Sequence, residues 1–233
     1  MVLPTNNIDP RGILVVDKPK GMTSHGVVTL VRRHFRIKKV GHAGTLDPNA
    51  TGVLVLLLGK ATKLSETFLN QDKEYEAVMK LGEKTDSGDS EGKVIKAREV
   101  CLTEDELQEV INDFRGDIEQ IPPMFSAKKI DGKKLYKLAH KGLEVPREPV
   151  KVWIKEIEIK SVSIPMVHFR VVCSKGTYIR QLADDIGDAL GCGANLAELR
   201  RIRSGEFDLE KAVAFDVLSK MGKEELHENI LRT

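Results

Sequence analysis

The stretch GHAGTLDPNATG, Gly41 to Gly52, places a single carboxylate, Asp47, among three glycines and a proline with no second acid. Gly, Asp, Pro and Asn are also the residues that turns favour, so a solvated turn is the ordinary reading. The chemical reading is a rigid loop that presents one charged oxygen pair to a substrate. Other sources of chemistry are thin. Six histidines show neither HxxxH nor HExxH spacing, and no carboxylates cluster as metal ligands. GCGANL, Gly191 to Leu196, begins like a dinucleotide fingerprint, but Leu196 stands where the third glycine belongs. GKAT at Gly59 lacks the upstream glycine and the magnesium-binding hydroxyl of a phosphate loop. No metal and no cofactor are expected, and catalysis should run on protein groups alone.

The elements that must position Asp47 are legible on either side of it. GILVVDKP reads as a buried strand stopped by Pro19, and VLVLLLG as a second strand directly after the loop. Between them Thr23 or Ser24 can cap a helix carrying Val27, Val28, Val31 and Phe35 at helical spacing. A short helix to about Leu69 and a strand through YEAVMKLG follow, and EKTDSGDSEG reads as a polar surface loop. Thr103 and Glu106 have capping-box spacing ahead of a helix with Leu107, Val110, Ile111 and Phe114. Asp131-Gly132 marks a hairpin or tight turn. VKVWIKEIEI and MVHFRVVCS read as strands, followed by a helix from about Thr177 to Leu190. Hairpin signals outnumber crossovers, which predicts a mixed α/β (α+β) fold around a largely antiparallel sheet.

The 233 residues include 41% hydrophobic and 31% charged residues, an ordinary globular composition. The longest apolar run, Val53 to Leu58, is strand-sized, so no membrane partner is expected. Neither a basic n-region nor an apolar h-region opens the chain, so no signal peptide is expected. Cys101, Cys173 and Cys192 lie far apart without a CxxC, which suits a reducing cytoplasm. The formal net charge is only +2, but the charge is unevenly spread. RRHFRIKK (Arg32 to Lys39), KKIDGKKLYKLAHK (Lys128 to Lys141) and LRRIRSG are basic, whereas acid gathers in Glu83 to Glu91, Glu104 to Asp113 and the tail. One such run is commonly a solvated face. Three runs segregated from the acid make an anionic partner a candidate.

GHAGTLDP resembles the catalytic motif of the TruB-type tRNA pseudouridine synthases, which isomerise uridine 55 in the T-loop. LVVDKPKGMTSH, DKEYEAVMKLGEKTDSGDSEG, RGDIEQIPPMFSAKKIDGKKLY, CSKGTYIRQLADDIG and GCGANLAELRR resemble further motifs of that family in the same order. Together they cover roughly Gly12 to Arg203. The resemblance implies a pseudouridine synthase fold, a mixed, mainly antiparallel sheet flanked by helices. It implies a catalytic domain over 12–212 with an RNA-gripping insertion at about 123–146, a short extension at 1–11 and a helical tail at 213–233. The implied partner is the T stem-loop of tRNA, bound by a monomer.

The resemblance makes Asp47 the essential carboxylate. Pro48 biases it away from the α region, and Gly41 and Gly44 allow close backbone approach. The target must be flipped out of the folded T-loop. The carboxylate can then attack the sugar C1′, add to the base C6, or remove the C2′ proton, and each route lets uracil detach and rejoin through C5. The resemblance pairs Asp47 with Arg180 of GTYIR, and a nearby arginine lowers a carboxylate pKa by ~1–3 units. An arginine in a helix's first turn is otherwise poorly placed against the macrodipole. Tyr75 matches the tyrosine that stacks on the flipped uracil and takes part in the C5 proton step. Tyr178 and Leu199 match pocket-lining residues, and core packing is the plainer role for both. His42 matches a histidine that holds extruded loop bases. Lys18 is a phosphate contact or a strand-end charge. Lys128, Lys129, Lys133 and Lys134 lie in the segment implied to close on the T-arm. Phosphate contacts there would position the RNA without reading it.

Two departures from the family pattern stand out. His140 occupies a position where the family generally has arginine, so a backbone contact there is either lost or made pH-dependent. The chain also ends close to where many relatives enter a C-terminal RNA-binding domain, so a catalytic core with a short tail is expected. Among rival readings, a guide-RNA-dependent dyskerin-type enzyme shares GTLDP and GTYIR, but PPMFSAKKIDGKKLYKLA resembles the stand-alone form. A tRNA-folding chaperone that only binds would not need the catalytic matches. An aspartate-dependent hydrolase lacks a second acid or a metal cluster.

Overall fold

The computed structural model describes residues 10–126, 128–130, 132–139 and 141–232. Most of the expected N-terminal extension, Asp131, His140 and the Lys134 side chain lie outside the described residues. In chain order the first elements are β1 (Gly12–Lys18), α1 (Ser24–His34), β2 (Val40–His42), β3 (Thr51–Leu58), a 3-10 helix (Gly59–Leu64) and α2 (Ser65–Leu69). Next come β4 (Lys73–Leu81), β5 (Glu83–Thr85), β6 (Val94–Ala97), α3 (Glu104–Asp113), β7 (Gly116–Gln120), β8 (Lys129–Ile130), β9 (Lys133–Lys134) and α4 (Leu135–Ala139). The rest are β10 (Val150–Ser163), β11 (Met166–Cys173), α5 (Ile179–Ala189), β12 (Ala194–Ser204), β13 (Phe207–Asp208), β14 (Val213–Ala214), α6 (Phe215–Leu218) and α7 (Lys223–Asn229). Two compact units result: residues 1–73 with 200–233, and residues 74–199. Both mix strands and helices. β12 contributes residues 194–199 to the second unit and 200–204 to the first.

The first unit is organised by two apolar strands. β1 and β3 pair antiparallel from Gly12↔Leu58 to Lys18↔Gly52, and nearly every residue of both is buried. Ile13, Val15, Val53, Val55 and Leu57 face a cluster with Phe68 and Phe207. Leu14, Leu54, Leu56 and Leu58 on the alternate positions are equally inaccessible, so both faces are covered. β14 joins β1 in parallel, β12 joins β3 in parallel, and β2 adds to β3 antiparallel. α1 forms where the valine spacing predicts. Thr23 is its N-cap and accepts from Gly26 N at 2.9 Å, and Arg32, Arg33 and His34 in the last turn suit the helix dipole.

In the second unit the strand order is β4-β11-β10-β7. β10 and β11 form a long hairpin closing at Ser163↔Met166, and β7 lies antiparallel along β10. α3 starts with the expected capping box: Glu106 N donates to Thr103 Oγ1 and Thr103 N to Glu106 Oε2. EKTDSGDSEG is not wholly a loop, because Glu83–Thr85 pairs with Val94–Ala97 in a two-stranded ribbon. β6 is exposed throughout, so the strand carries none of the apolar alternation that would announce it. β8 and β9 pair as a short hairpin with Gly132 at φ 76°.

Candidate active site

Asp47 sits half-buried in the connection between β2 and β3, and its loop is fixed by three polar struts. Ser24 Oγ accepts from Leu46 N at 2.8 Å and donates to Leu46 O at 3.0 Å, so the start of α1 grips the residue before Asp47 from both sides. Pro48 O, the carbonyl after Asp47, accepts from Gly21 N at 2.9 Å and from Lys18 Nζ at 3.0 Å. Lys18 Nζ also donates to Pro19 O and Met22 O, so its three protons meet three carbonyls. The third strut is Arg201, whose Nε donates to Val53 O at 2.7 Å and Nη2 to Gly44 O at 3.1 Å. Gly44 at φ 101° takes a left-handed conformation that a side chain resists. Gly52 at φ 99° has a second constraint: a Cβ there would overlap the backbone of Arg201, its register partner in β12.

Lys18 and Arg201 are the two largest charged side chains with essentially no exposure, at 0% and 1%. Burial pulls the Lys18 ammonium down to about 8; attraction to Asp47 offsets part of that loss, and Arg201 adds to it. Of the two readings of Lys18, the burial favours the strand-end charge over the phosphate contact: it is inaccessible and all three of its donors are engaged. His42 is half-buried at the end of β2, opposite Leu56.

The second unit holds the other expected residues. Tyr75 is 8% exposed near the start of β4. Tyr178 is the N-cap residue of α5 and receives no side-chain cap of its own. Gln120 at the end of β7 clamps the Tyr178 backbone: its Oε1 accepts from Tyr178 N at 3.0 Å and its Nε2 donates to Tyr178 O at 3.2 Å. Arg180, in the first turn of α5 and 6% exposed, reaches Ser87 O at 3.1 Å, Asp89 Oδ2 at 3.4 Å and Phe125 O at 2.8 Å. It therefore ties the Thr-Asp loop to the segment before β8. Leu199 on β12 is half-buried. Lys129 and Lys133 are exposed on the short hairpin, and Lys128 just before it is half-buried.

Ser24, Gln120 and Arg201 are the residues that sequence reasoning missed in these roles. Ser24 was visible only as a possible helix cap. Arg201 was counted in the basic run LRRIRSG, although adjacent arginines in a strand must point to opposite faces, so one of Arg200 and Arg201 has to turn inward. The geometry can hold a carboxylate in one place beside buried positive charge. Among the described residues no group of three or more His, Cys, Asp or Glu side chains is placed to hold a metal.

Residues 32–179 match the family model described as TruB family pseudouridylate synthase (N terminal domain). Residues 180–233 match the one described as tRNA pseudouridylate synthase B C-terminal domain, a boundary that falls inside α5. The chain is 51% identical over 207 residues to tRNA pseudouridine synthase B of Azoarcus sp. (strain BH72), covering 89% of this chain and 69% of that protein. It is 44% identical over 232 residues to tRNA pseudouridine synthase B of Opitutus terrae, covering 99% and 95%. Among solved structures it is similar to a chain in a crystal structure of a Cbf5-Nop10-Gar1 complex, with a TM-score of 0.76 and 33% identity. That match covers 95% of this chain and spans 60% of the length of the other.

Proposed function

Because this chain belongs to the TruB family of pseudouridylate synthases, we propose that it isomerises a uridine of tRNA to pseudouridine, at position 55 of the T-loop, without cofactor or metal. The observation that carries this reading is the loop from Gly41 to Gly52, which holds one carboxylate between struts from Ser24, Lys18 and Arg201. A flipped nucleotide needs its reacting group held still, since a misplaced carboxylate forfeits the advantage of orientation. Asp47 opens the reaction at C1′, at C6 or at the C2′ proton. In each case the N1–C1′ bond breaks, the uracil turns, a C5–C1′ bond forms, and the C5 proton leaves.

Tyr75 supplies the stacking face for the uracil and takes part in the C5 proton step. Arg180 supplies positive charge for the ionised aspartate, and its grip on Ser87, Asp89 and Phe125 keeps its guanidinium in place. Tyr178 and Leu199 line the base pocket, and His42 holds extruded loop bases. Lys128, Lys129, Lys133 and Lys134 bind T-arm phosphates within an insertion at 123–146. The catalytic domain spans 12–212 and the segment 213–233 is a helical tail. Tritium release from C5-labelled uridine in a T-arm transcript, with no cofactor and no guide RNA added, tests the reading. Release dependent on Asp47 is the expected result. Activity that appears only with a guide RNA would favour the dyskerin-type alternative, and no release at all would reject an isomerase.

A further inference from the structure

A groove of about 790 Å³ in the first unit plays no part in holding Asp47. Its charged lining is Arg11, Lys60, Lys63 and Arg232, with His227 beside them, over an apolar floor that includes Ala61 and Ile230. No carboxylate lines it among the described residues, and its lysines and arginines are exposed. They form no ion pair with any described residue, in contrast to Arg200, whose Nη2 meets Asp17 Oδ2 at 2.7 Å.

Gly59 explains why these charges gather. Its N–H donates to Lys39 O at 2.9 Å, and a Cβ there would lie 2.8 Å from Pro10 O and 3.6 Å from Arg11 Cβ. The preceding residue, Leu58, pairs with both Val40 and Gly12. Three chain segments thus converge on one left-handed glycine at φ 56°, and two of them bring cations to the groove: Arg11, and Lys60 with Lys63. Like charges that line one groove repel one another, and an anion that spans them relieves the repulsion. A small phosphate is a poor fit, since the lining cations are all exposed and none is a buried, oriented donor. An extended polyanion fits, because several separate phosphates can each meet one cation.

We infer that this groove is a second RNA-docking surface, holding the sugar-phosphate backbone of substrate tRNA outside the stem-loop that carries the target. The inference rests on the proposed tRNA substrate. The test uses the full chain with Arg11→Ala, Lys60→Ala, Lys63→Ala and Arg232→Ala combined, titrated against full-length tRNA and an isolated T-arm hairpin at several salt concentrations. Binding of tRNA should weaken roughly tenfold at physiological salt, and its slope against log salt should flatten by ~0.7–0.9 for each phosphate no longer neutralised. Hairpin affinity and turnover should stay within about twofold. A second variant, Lys60→Glu with Lys63→Glu, should weaken tRNA binding further while leaving the circular dichroism spectrum and the hairpin unchanged. Unchanged tRNA affinity and slope would overturn the inference, and so would equal weakening on both RNAs. Failure of the underlying reading gives a different result: the unaltered chain would then leave the hairpin unmodified.

Discussion

Two arginine-rich stretches of the first unit, 32–39 and 200–203, have similar composition and opposite fates. In the first, Arg32, Arg33, Arg36, Lys38 and Lys39 are all exposed, at and just beyond the C-terminal end of α1. In the second, Arg201 is wholly buried against Val53 O and Gly44 O, Arg200 pairs with Asp17, and Arg203 donates to Gly205 O. The difference comes from secondary structure. The last turn of a helix lets long side chains fan into solvent and suits their charge. A strand sends alternate residues to opposite faces, so a basic run in a strand cannot be presented whole. Positive charge therefore does two jobs here: the inner cations set the shape of a loop, and the outer ones lie at the surface.

The largest effect expected tests what the inner cations are for. Asp47→Asn keeps the side chain's size and removes its charge, so turnover should fall to background. Binding of tRNA should survive within about tenfold, or ~1.4 kcal/mol. Clear turnover in that variant would mean that the struts position nothing catalytic. Tyr75 should come next. Tyr75→Phe keeps a stacking face, typically worth ~1–3 kcal/mol per base, and loses only the hydroxyl. Turnover should drop strongly with binding retained, whereas Tyr75→Leu should damage both. Equal and mild losses from the two changes would reduce Tyr75 to core packing.

The contrast itself is tested by Arg201→Met against the combined Arg32→Ala, Arg33→Ala and Arg36→Ala. The methionine leaves Val53 O and Gly44 O without their buried donor, at about 1–3 kcal/mol for each unsatisfied group. Chemical denaturation should show that loss, and turnover should fall about tenfold or more with the salt dependence of RNA binding unchanged. The surface triple variant should lose little stability, about 0.5 kcal/mol or less per site. If both variants lose stability alike, the inner and outer roles are not distinct. A smaller effect is expected from neutralising Lys128, Lys129, Lys133 and Lys134. Binding should weaken and its salt slope flatten by ~0.7–0.9 for each phosphate those lysines neutralise, with turnover at saturating RNA nearly unchanged. An unchanged slope would place those side chains in solvent, away from RNA.

The same contrast marks how far the sequence could be read. β1, β3, α1 and α3 were legible because burial and capping leave periodic or fixed-offset signals: Ile13 to Val16, Val53 to Leu58, and the Thr103–Glu106 pair. β5, β6 and β12 were not, since β5 is only three residues long, β6 is exposed, and β12 hides its alternation under arginines. Asp47 stood out because a lone acid among glycines is unusual. Ser24 and Arg201 did not, because their partners are backbone carbonyls and amides that have no letter in a sequence. Lys18 was visible as a charge after a strand, but its inward direction follows only from the three carbonyls that surround it.

That inward direction gives the last prediction, which is read in stability and has the clearest sign. An unfolded lysine titrates at 10.5, whereas the buried Lys18 is pulled down to about 8. Between those values the unfolded chain keeps a proton that the folded chain has released, so unfolding takes up as much as one proton. Stability contributed by this site therefore rises with pH across that window, by at most ~1.4 kcal/mol per pH unit. Below pH 8 both states are protonated, and the full cost of the buried charge is present. Lys18→Met carries no titrating group at this position and serves as the reference. The stability of the unaltered chain relative to that variant should increase by roughly 2 kcal/mol between pH 7.5 and 9.5, measured by urea denaturation at matched ionic strength. Turnover should change only a few-fold over the same range, since a neutral amine still donates two of the three hydrogen bonds. The comparison reads a change with pH, so a constant loss caused by the methionine itself does not disturb it. A flat difference would mean that Lys18 titrates as an ordinary surface lysine, which would return it to the outer class of cations.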